Sequence, residues 1–198
     1  MEKEELFQLL IKSIKKVRED YFCRYDGSLL ERPFCYELYH QFRSIQKNDN
    51  SLILSGEPSK SLSSIMNESK YPSSDGDKDR VYPDFILHKN LNDTLPENQI
   101  MAIEVKQKYN INTANLEYDI KKLQKLVTKL HFDYGVFIAI GMTNEELMTE
   151  LKKINKNIYN PQDKFYFIAT KGINEHKKYL SYYDVFREKQ ECNKKPEH

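Results

Sequence analysis

Apolar side chains recur at helical spacing near the start of the chain. Leu6, Leu10, Ile14 and Val17 follow one another at intervals of three or four residues, with charged side chains around them. This spacing places the four side chains on one face of a helix. The pattern predicts an amphipathic N-terminal helix over residues 3–20.

The next apolar stripe predicts a second helix over residues 32–44. Pro33 stands at its start, where proline is well tolerated because the first turn needs no backbone donor. Phe34 and Leu38 belong to its buried face. On a wheel of about 100° per residue, Glu37 lies at the margin of that face. We expect its carboxylate to reach over the edge of a sheet.

Five short apolar runs bounded by polar segments predict strands. They are residues 52–54, 81–87, 100–106, 135–140 and 164–169. Between them, one helix is predicted after Asn112 or Thr113 and another from Thr143. The order of elements predicts an α/β fold in which a mixed central β-sheet is flanked by helices in three layers. The length of 198 residues favours a single domain, 1–198, with a core over about 32–170.

Residues 56–80 interrupt this pattern of strands and helices. They include seven serines, two glycines and two prolines. Such a long segment inside a compact domain is usually functional or disordered, so a mobile loop is predicted. Because it leads into the strand that carries Asp84, we expect it to close over a substrate.

The strands that carry Asp84 and Glu104 are consecutive and predict a β-hairpin. If their pairing is symmetric about Thr94, Asp84 lies opposite Glu104. Alternation along the second strand then places Glu104 and Lys106 on one face. The hypothesis depends on this register, since a shift of one residue would turn Asp84 away from Glu104.

Two carboxylates and a lysine at such a position suit phosphodiester hydrolysis. Mg²⁺ prefers oxygen ligands and keeps several waters, so two or three protein ligands suffice. The candidates are Asp84, Glu104, Glu37 and the carbonyl of Val105. Lys106 is predicted either to hold the water or phosphoryl oxygen as a cation, or to act as a general base if its pKa is lowered.

These residues resemble the motif of the PD-(D/E)XK nuclease superfamily. The likeness comprises Pro83-Asp84, Glu104-Val105-Lys106 and Glu37, and it extends to the order of elements over roughly 32–140. It implies a restriction-endonuclease-like fold with an αβββαβ core. In that superfamily the aspartate and glutamate bind the metal, the lysine acts on the water or scissile phosphate, and a helix glutamate often completes the site. The resemblance implies the same roles here.

Two further features are similar to that superfamily. Asp119 with Lys122-Leu123 resembles its Asp-x-x-Lys-Leu pattern, and Arg80 resembles a residue often found shortly before the aspartate. The implied activity is that of a Mg²⁺-dependent endonuclease that hydrolyses DNA phosphodiester bonds, with Mn²⁺ as a substitute. Restriction, phage defence, recombination or repair is the expected setting.

The charge distribution indicates where nucleic acid would bind. A net charge of only +1 argues against a protein that coats nucleic acid through overall basicity. Residues 106–129, however, hold six lysines and two acids, a local excess of +4. The candidate contacts to nucleic acid are Arg80, Gln107, Lys108 and Lys122.

Several expectations concern location and partners. The N-terminus lacks the apolar segment of a secretory signal, and no apolar run approaches the roughly 20 residues that span a bilayer, so cytoplasmic residence without membrane association is expected. No separate DNA-reading module is evident, which favours low specificity or a protein partner that supplies it. A homodimer would explain how both strands are cut.

Two alternatives stay open at this stage. The same metal chemistry cleaves RNA, and the contacts to the 2'-hydroxyl that distinguish RNA are not legible in the sequence. A non-catalytic binding or assembly protein could also retain the fold as a scaffold. The presence of Asp84, Glu104 and Lys106 together argues against the scaffold, which would need none of them.

Overall fold

A six-stranded sheet forms the centre of the molecule. The computed structural model describes residues 2–46, 51–56, 83–89, 95–159, 161–171 and 179–186. The strands are β1 (Ile53–Gly56), β2 (Phe85–His88), β3 (Gln99–Gln107), β4 (Tyr134–Ile140), β5 (Phe165–Ala169) and β6 (Leu180–Ser181). Their spatial order is the same as their order along the chain. Apart from Gly56, the loop predicted over 56–80 lies outside the described residues.

Six α-helices accompany the sheet within these residues. They are α1 (Lys3–Lys16), α2 (Glu19–Phe22), α3 (Glu31–Gln46), α4 (Thr113–Lys129), α5 (Asn144–Leu151) and α6 (Tyr182–Phe186). Asn112 caps α4 by accepting a hydrogen bond from the Asn115 N–H, and Thr143 with Glu146 forms a capping box on α5. None of the described helices has the length and apolar character needed to cross a membrane.

The sheet is mixed, as the sequence predicts. β1, β2 and β3 pair antiparallel, β3, β4 and β5 pair parallel, and β6 returns antiparallel to β5. Each parallel pair needs a crossover connection, and α4 and α5 lie in the two crossovers. The prediction of an α/β fold with a mixed central sheet flanked by helices is confirmed.

The hairpin of β2 and β3 has the predicted register over most of its length. Phe85 pairs with Ile103, and the pairing continues symmetrically as far as Leu87. The register shifts between Leu87 and His88, at the end of β2. Asp84 immediately precedes β2, so the same register leads it towards Glu104.

Helices cover both faces of the sheet and enclose two apolar cores. On one face Ile103 and Val105 pack with side chains of α1 and α3. On the other, Ala102 and Phe137 pack with α4, α5 and α6. All four sheet residues are buried. Each helix therefore contributes its apolar stripe to a three-layer arrangement, which is the stable solution for amphipathic elements.

The prediction of one helix over residues 3–20 is wrong. α1 ends at Lys16, and Val17 adopts an extended conformation with its N–H bonded to the carbonyl of Ile14. The chain then turns into the short α2, whose Phe22 packs edge-on against Phe34 of α3 at 5.3 Å between ring centroids. The apolar stripe continues through Val17, but the burial of Phe22 on α3 requires a change of direction.

A close approach at Gly141 helps to place the start of α3. Gly141 follows β4 with a φ of 77°, a conformation that favours glycine. A Cβ atom at this position would lie 2.4 Å from Cδ1 of Leu29. Leu29 therefore rests on the backbone at the carboxyl end of β4, and Glu31, two residues later, enters α3 beside that edge of the sheet.

Candidate active site

The β2–β3 hairpin brings Asp84 and Glu104 to the same part of the sheet. Oδ2 of Asp84 accepts a hydrogen bond of 2.7 Å from the backbone N–H of Val105. Asp84 is half-buried, whereas Glu104 is fully buried. The carboxylate of Asp84, which the backbone N–H of Val105 holds in place, therefore lies near the carboxylate of Glu104, which has no access to solvent.

Helix α4 supplies two charged side chains to Glu104. Asp119 and Lys122 are three residues apart, so they lie on neighbouring positions of one helix face. Nζ of Lys122 is 2.6 Å from Oε2 of Glu104 and 3.9 Å from Oδ1 of Asp119. Asp119 is buried together with the apolar stripe of the helix. α4 therefore covers Glu104 with an ion pair, while its apolar residues fill the core next to it.

Lys106 lies between carboxylates of two different helices. Its Nζ is 3.6 Å from Oδ2 of Asp119 and 3.8 Å from Oε1 of Glu31. Oε2 of Glu31 also accepts a hydrogen bond of 3.4 Å from the backbone N–H of Gln107. Glu31 belongs to the first turn of α3 and thereby links that helix to the carboxyl end of β3.

Together Glu31, Asp84, Glu104, Lys106, Asp119 and Lys122 form what we call the carboxylate–lysine cluster. Burial raises the pKa of Glu104 well above its usual value, and the charge of Asp84 adds to this effect while Lys122 opposes it. Burial likewise raises the pKa of Glu31 and of Asp119, each against the opposing charge of Lys106. The two lysines therefore compensate the buried carboxylates only in part.

The pKa of Lys106 is shifted in the opposite direction from the one that a general base requires. Burial lowers the pKa of its ammonium group, but the carboxylates of Asp119 and Glu31 raise it by more, and the net pKa lies above its usual value. Of the two roles that the sequence leaves open, this environment favours the cationic one.

The donor set of the cluster suits a divalent cation chemically. Four carboxylates face two ammonium groups, an excess of two negative charges, and Oε1 of Glu104 is buried without a hydrogen-bond partner among the described residues. Carboxylate oxygens are the ligands that Mg²⁺ prefers. In the part of the chain that the structure describes, however, no three His, Cys, Asp or Glu side chains are grouped closely enough to hold a metal ion by themselves.

The structure brings some of the predicted site residues together and not others. Asp84, Glu104 and Lys106 share the cluster, and the N–H of Val105 contacts it, although the predicted metal ligand was the carbonyl of Val105. Glu37 instead accepts a hydrogen bond of 2.6 Å from Gln41 on the same helix. It lies six residues beyond Glu31, about 9 Å along the helix axis and about 120° around it.

The predicted contacts to nucleic acid are also distributed differently. Lys122 does not project outwards but pairs with Glu104, and only 17% of its side chain is exposed. Lys108 is more exposed and pairs with Glu146 at 2.6 Å. Gln107 ends β3 next to Glu31. Arg80 lies outside the described residues.

Sequence reasoning missed Glu31 as a member of the site and gave Asp119 no role in it. Glu31 falls only about 20° from Leu38 on the helical wheel of α3, nearer to the buried stripe than Glu37. Asp119 falls about 40° from Leu123, on the buried face of α4. An acid inside a buried helical stripe was therefore the signal that could have identified both residues.

Comparison with known proteins identifies no relative of this chain. No family model, no curated protein and no solved structure matches it. The functional argument therefore depends on the geometry of the carboxylate–lysine cluster.

Proposed function

We propose that the protein is a metal-dependent endonuclease of the PD-(D/E)XK type that hydrolyses DNA phosphodiester bonds. The observation that carries the proposal is the carboxylate–lysine cluster, in which the half-buried Asp84 and Lys106 adjoin the fully buried Glu104. Its excess of carboxylates is costly in a protein interior unless a cation or a chemical role compensates it. Restriction, phage defence, recombination or repair in the cytoplasm is the setting that we propose.

Asp84 and Glu104 would hold Mg²⁺ or Mn²⁺, together with the carbonyl of Val105. The ion would supply charge neutralisation at the phosphoryl oxygens and a bound water of lowered pKa. Because Asp84 receives the N–H of Val105, its carboxylate is held in one orientation before the ion binds. The orphaned Oε1 of Glu104 is available as a ligand while Oε2 pairs with Lys122.

Lys106 contributes a positive charge at the reacting phosphate. Asp119 and Glu31 keep its ammonium group protonated and hold it at the carboxyl end of β3. An ammonium held in place stabilises negative charge that develops on the phosphoryl oxygens during attack, without reorganisation at the moment of reaction. Asp119 and Glu31 are thus positioning residues in this proposal, and Lys106 is the catalytic one.

Substrate binding is proposed to follow the end of β3. Gln107 and Lys108 lie directly after Lys106 and would contact the phosphate backbone, with Arg80 as a further contact. Lys108 would exchange Glu146 for a phosphate at little cost, because exposed ion pairs contribute less than about 1 kcal/mol. Specificity would come from a protein partner, and a homodimer would provide two sites for a duplex.

The proposal is tested by incubating the purified protein with linear duplex, supercoiled and single-stranded DNA and with RNA. We expect cleavage of DNA with Mg²⁺ or Mn²⁺ and none with EDTA. Asp84→Asn should abolish cleavage with the fold retained by circular dichroism. Asp20→Asn, at an exposed aspartate of α2, is the matched control and should cleave normally.

The same assay separates the alternatives. Preferential cleavage of RNA would change the proposed substrate from DNA to RNA and leave the proposed metal-dependent hydrolysis unchanged. Absence of cleavage of all four substrates, or cleavage that survives Asp84→Asn, would contradict the proposed activity. Absence of cleavage would favour the scaffold alternative, whereas cleavage that survives Asp84→Asn would require catalytic residues other than Asp84.

A further inference from the structure

A cavity of about 610 Å³ lies at the opposite end of the parallel strands from the carboxylate–lysine cluster. Tyr134 begins β4 and Tyr166 lies near the start of β5, and both line the cavity. Tyr134 pairs with Met101 of β3, five residues before Lys106, which corresponds to about 16 Å along the strand. We call this cavity the tyrosine pocket; it takes no part in the proposed nuclease chemistry.

Aromatic rings form one wall of the tyrosine pocket. Three of these rings pack against the buried Phe7 of α1, whose ring centroid lies 5.7 Å from Tyr134, 4.8 Å from Tyr166 and 4.9 Å from Tyr179. Tyr183, at the rim, is half exposed. The tyrosine rings surrounding Phe7 also contact one another, with Tyr166 5.8 Å from both Tyr134 and Tyr179.

An ammonium group already occupies part of this wall. Nζ of Lys3 lies 4.3 Å from the centroid of the Tyr166 ring and 5.8 Å from that of Tyr134, within the range of a cation–π contact. It also donates a hydrogen bond to the hydroxyl of Tyr166. The wall is therefore suited to an ammonium ion. The cavity volume of about 610 Å³ is the space left with the side chain of Lys3 in place.

The charges of the lining favour a cation as well. Asp133, Asp163 and Asp184 outnumber Lys3 and Lys164, which leaves one net negative charge. Tyr134 and Tyr179 remain neutral, since burial raises the pKa of Tyr134 and raises that of Tyr179 to about 12. Neutral rings present the electron-rich faces that attract cations, whereas an anion would meet an excess of carboxylates.

We propose that the tyrosine pocket binds an alkylammonium group from outside the chain, beside or in place of the ammonium of Lys3. Its volume falls in the range of about 300–1,000 Å³ that is usual for ligand sites. The group would come either from a free polyamine or from a lysine side chain of a partner peptide. Both sources carry a primary alkylammonium group, which is the group that the side chain of Lys3 places against the tyrosine rings.

The test is calorimetric titration at constant ionic strength, without nucleic acid or divalent metal. The probes are spermidine, an end-blocked lysine tetrapeptide and tetramethylammonium chloride, with sodium chloride as the blank. We expect saturable binding of at least one probe to the wild type. Lys3→Met should tighten it about tenfold, because it removes a competing cation from an exposed position.

Three more variants locate the binding. Tyr183→Ala and Asp163→Asn remove a rim ring and a carboxylate of the pocket, and each should weaken binding several-fold. Tyr36→Ala, at an exposed tyrosine of α3, is the control and should leave it unchanged. Preference for spermidine or for the peptide identifies the source of the group.

Three results would overturn the proposal. The first is no saturable binding of any probe by either the wild type or Lys3→Met. The second is binding that Tyr183→Ala and Asp163→Asn leave unchanged, and the third is binding that Lys3→Met weakens. Because no cleavage is measured, a failure here is distinct from a failure of the proposed nuclease activity.

Discussion

The two faces of strand β3 carry different kinds of side chain although helices cover both. One face presents Ile103 and Val105 to the apolar core beneath α1 and α3. The other presents Glu104 and Lys106 to α4, where Asp119 and Lys122 meet them. The neighbouring strand offers a direct contrast, because β4 places Phe137 and Ala139 beside these two charged residues.

This difference indicates what each face contributes. Removal of apolar surface from water stabilises the fold by roughly 25 cal/mol per Å², so the first face contributes stability. The second face opposes it, since the raised pKa of Glu104 and of Asp119 means that folding disfavours their ionised forms. Phe137 and Ala139 show that apolar residues fit this layer. We infer that the charged face is present for chemistry rather than for stability.

The largest effect should follow from removing the cation of the charged face. Lys106→Ala should lower kcat/KM for cleavage by roughly 100- to 1,000-fold, as the loss of one fixed electrostatic contact does elsewhere. Lys106→Arg should retain more activity than Lys106→Ala if the charge is what matters. Lys121→Ala, at an exposed lysine of α4, serves as the control. Equal rates for Lys106→Ala and wild type would remove Lys106 from the mechanism.

On the apolar face, truncation should reduce stability instead. Ile103→Ala should lower the free energy of unfolding by about 3 kcal/mol, because it leaves a cavity in a closely packed core. Urea denaturation measures this loss, and Tyr118→Ala, at an exposed position of α4, should cost less than about 0.5 kcal/mol. A loss under about 1 kcal/mol for Ile103→Ala would mean that this face contributes little to the fold.

Removing a charge from the charged face should stabilise the protein, unlike truncation on the apolar face. Glu104→Gln keeps the shape of the side chain and reduces the cluster to three carboxylates against two lysines. We expect the free energy of unfolding to rise by about 2 kcal/mol at pH 8, because the raised pKa of Glu104 means that its ionised form is disfavoured in the folded protein, although the variant should be inactive. Glu117→Gln, at a surface ion pair with Lys121, provides the comparison. A less stable Glu104→Gln would show that the ion pair with Lys122 outweighs the burial of charge.

The pH dependence of this gain follows from the sign of the pKa shift. Because folding raises the pKa of Glu104 above its usual value of 4.5, the folded protein binds a proton where the unfolded chain has already released it. Wild-type stability therefore falls as pH rises through this window. The advantage of Glu104→Gln should be complete above the window and should shrink as pH falls towards 4.5. Thermal unfolding at several pH values measures it.

A smaller effect should appear when the covering cation is removed. Nζ of Lys122 lies 2.6 Å from Glu104 and would compete with a metal ion for the same carboxylate. Lys122→Met should therefore bind Mn²⁺ about tenfold more tightly in a calorimetric titration, which corresponds to about 1.4 kcal/mol. Lys125→Met, on the same helix, should bind as the wild type does. Weaker binding by Lys122→Met would assign the lysine a supporting role rather than a competing one.

Local patterns in the sequence predicted one part of the site and failed for another. Alternation and a symmetric hairpin were sufficient for the side of β3 that carries Glu104 and for its register with β2. The sequence did not identify which carboxylate of α3 belongs to the site. A helical wheel gives the angle of a side chain around the helix, but it does not show which end of the helix meets the sheet. The close approach of Leu29 to Gly141 places the N-terminal end of α3 next to the sheet. Glu31 rather than Glu37 therefore lies beside Lys106.

The role of Lys122 was equally hidden from the sequence. The local excess of lysines over residues 106–129 led to the prediction that Lys122 contacts nucleic acid. Which lysine turns inward depends on the rotation of α4, which its apolar stripe sets by packing on β3 and β4. Asp119 shares that rotation, so Asp119 meets Lys106 while Lys122 meets Glu104.

We propose that the charged face of β3 holds a divalent cation. The decisive experiment is a crystal structure of the protein soaked with Mn²⁺, with anomalous scattering recorded. We expect an anomalous peak about 2.1 Å from carboxylate oxygens of both Asp84 and Glu104. Saturating Mn²⁺ without a peak between these two residues, with Lys122 still paired to Glu104, would contradict it.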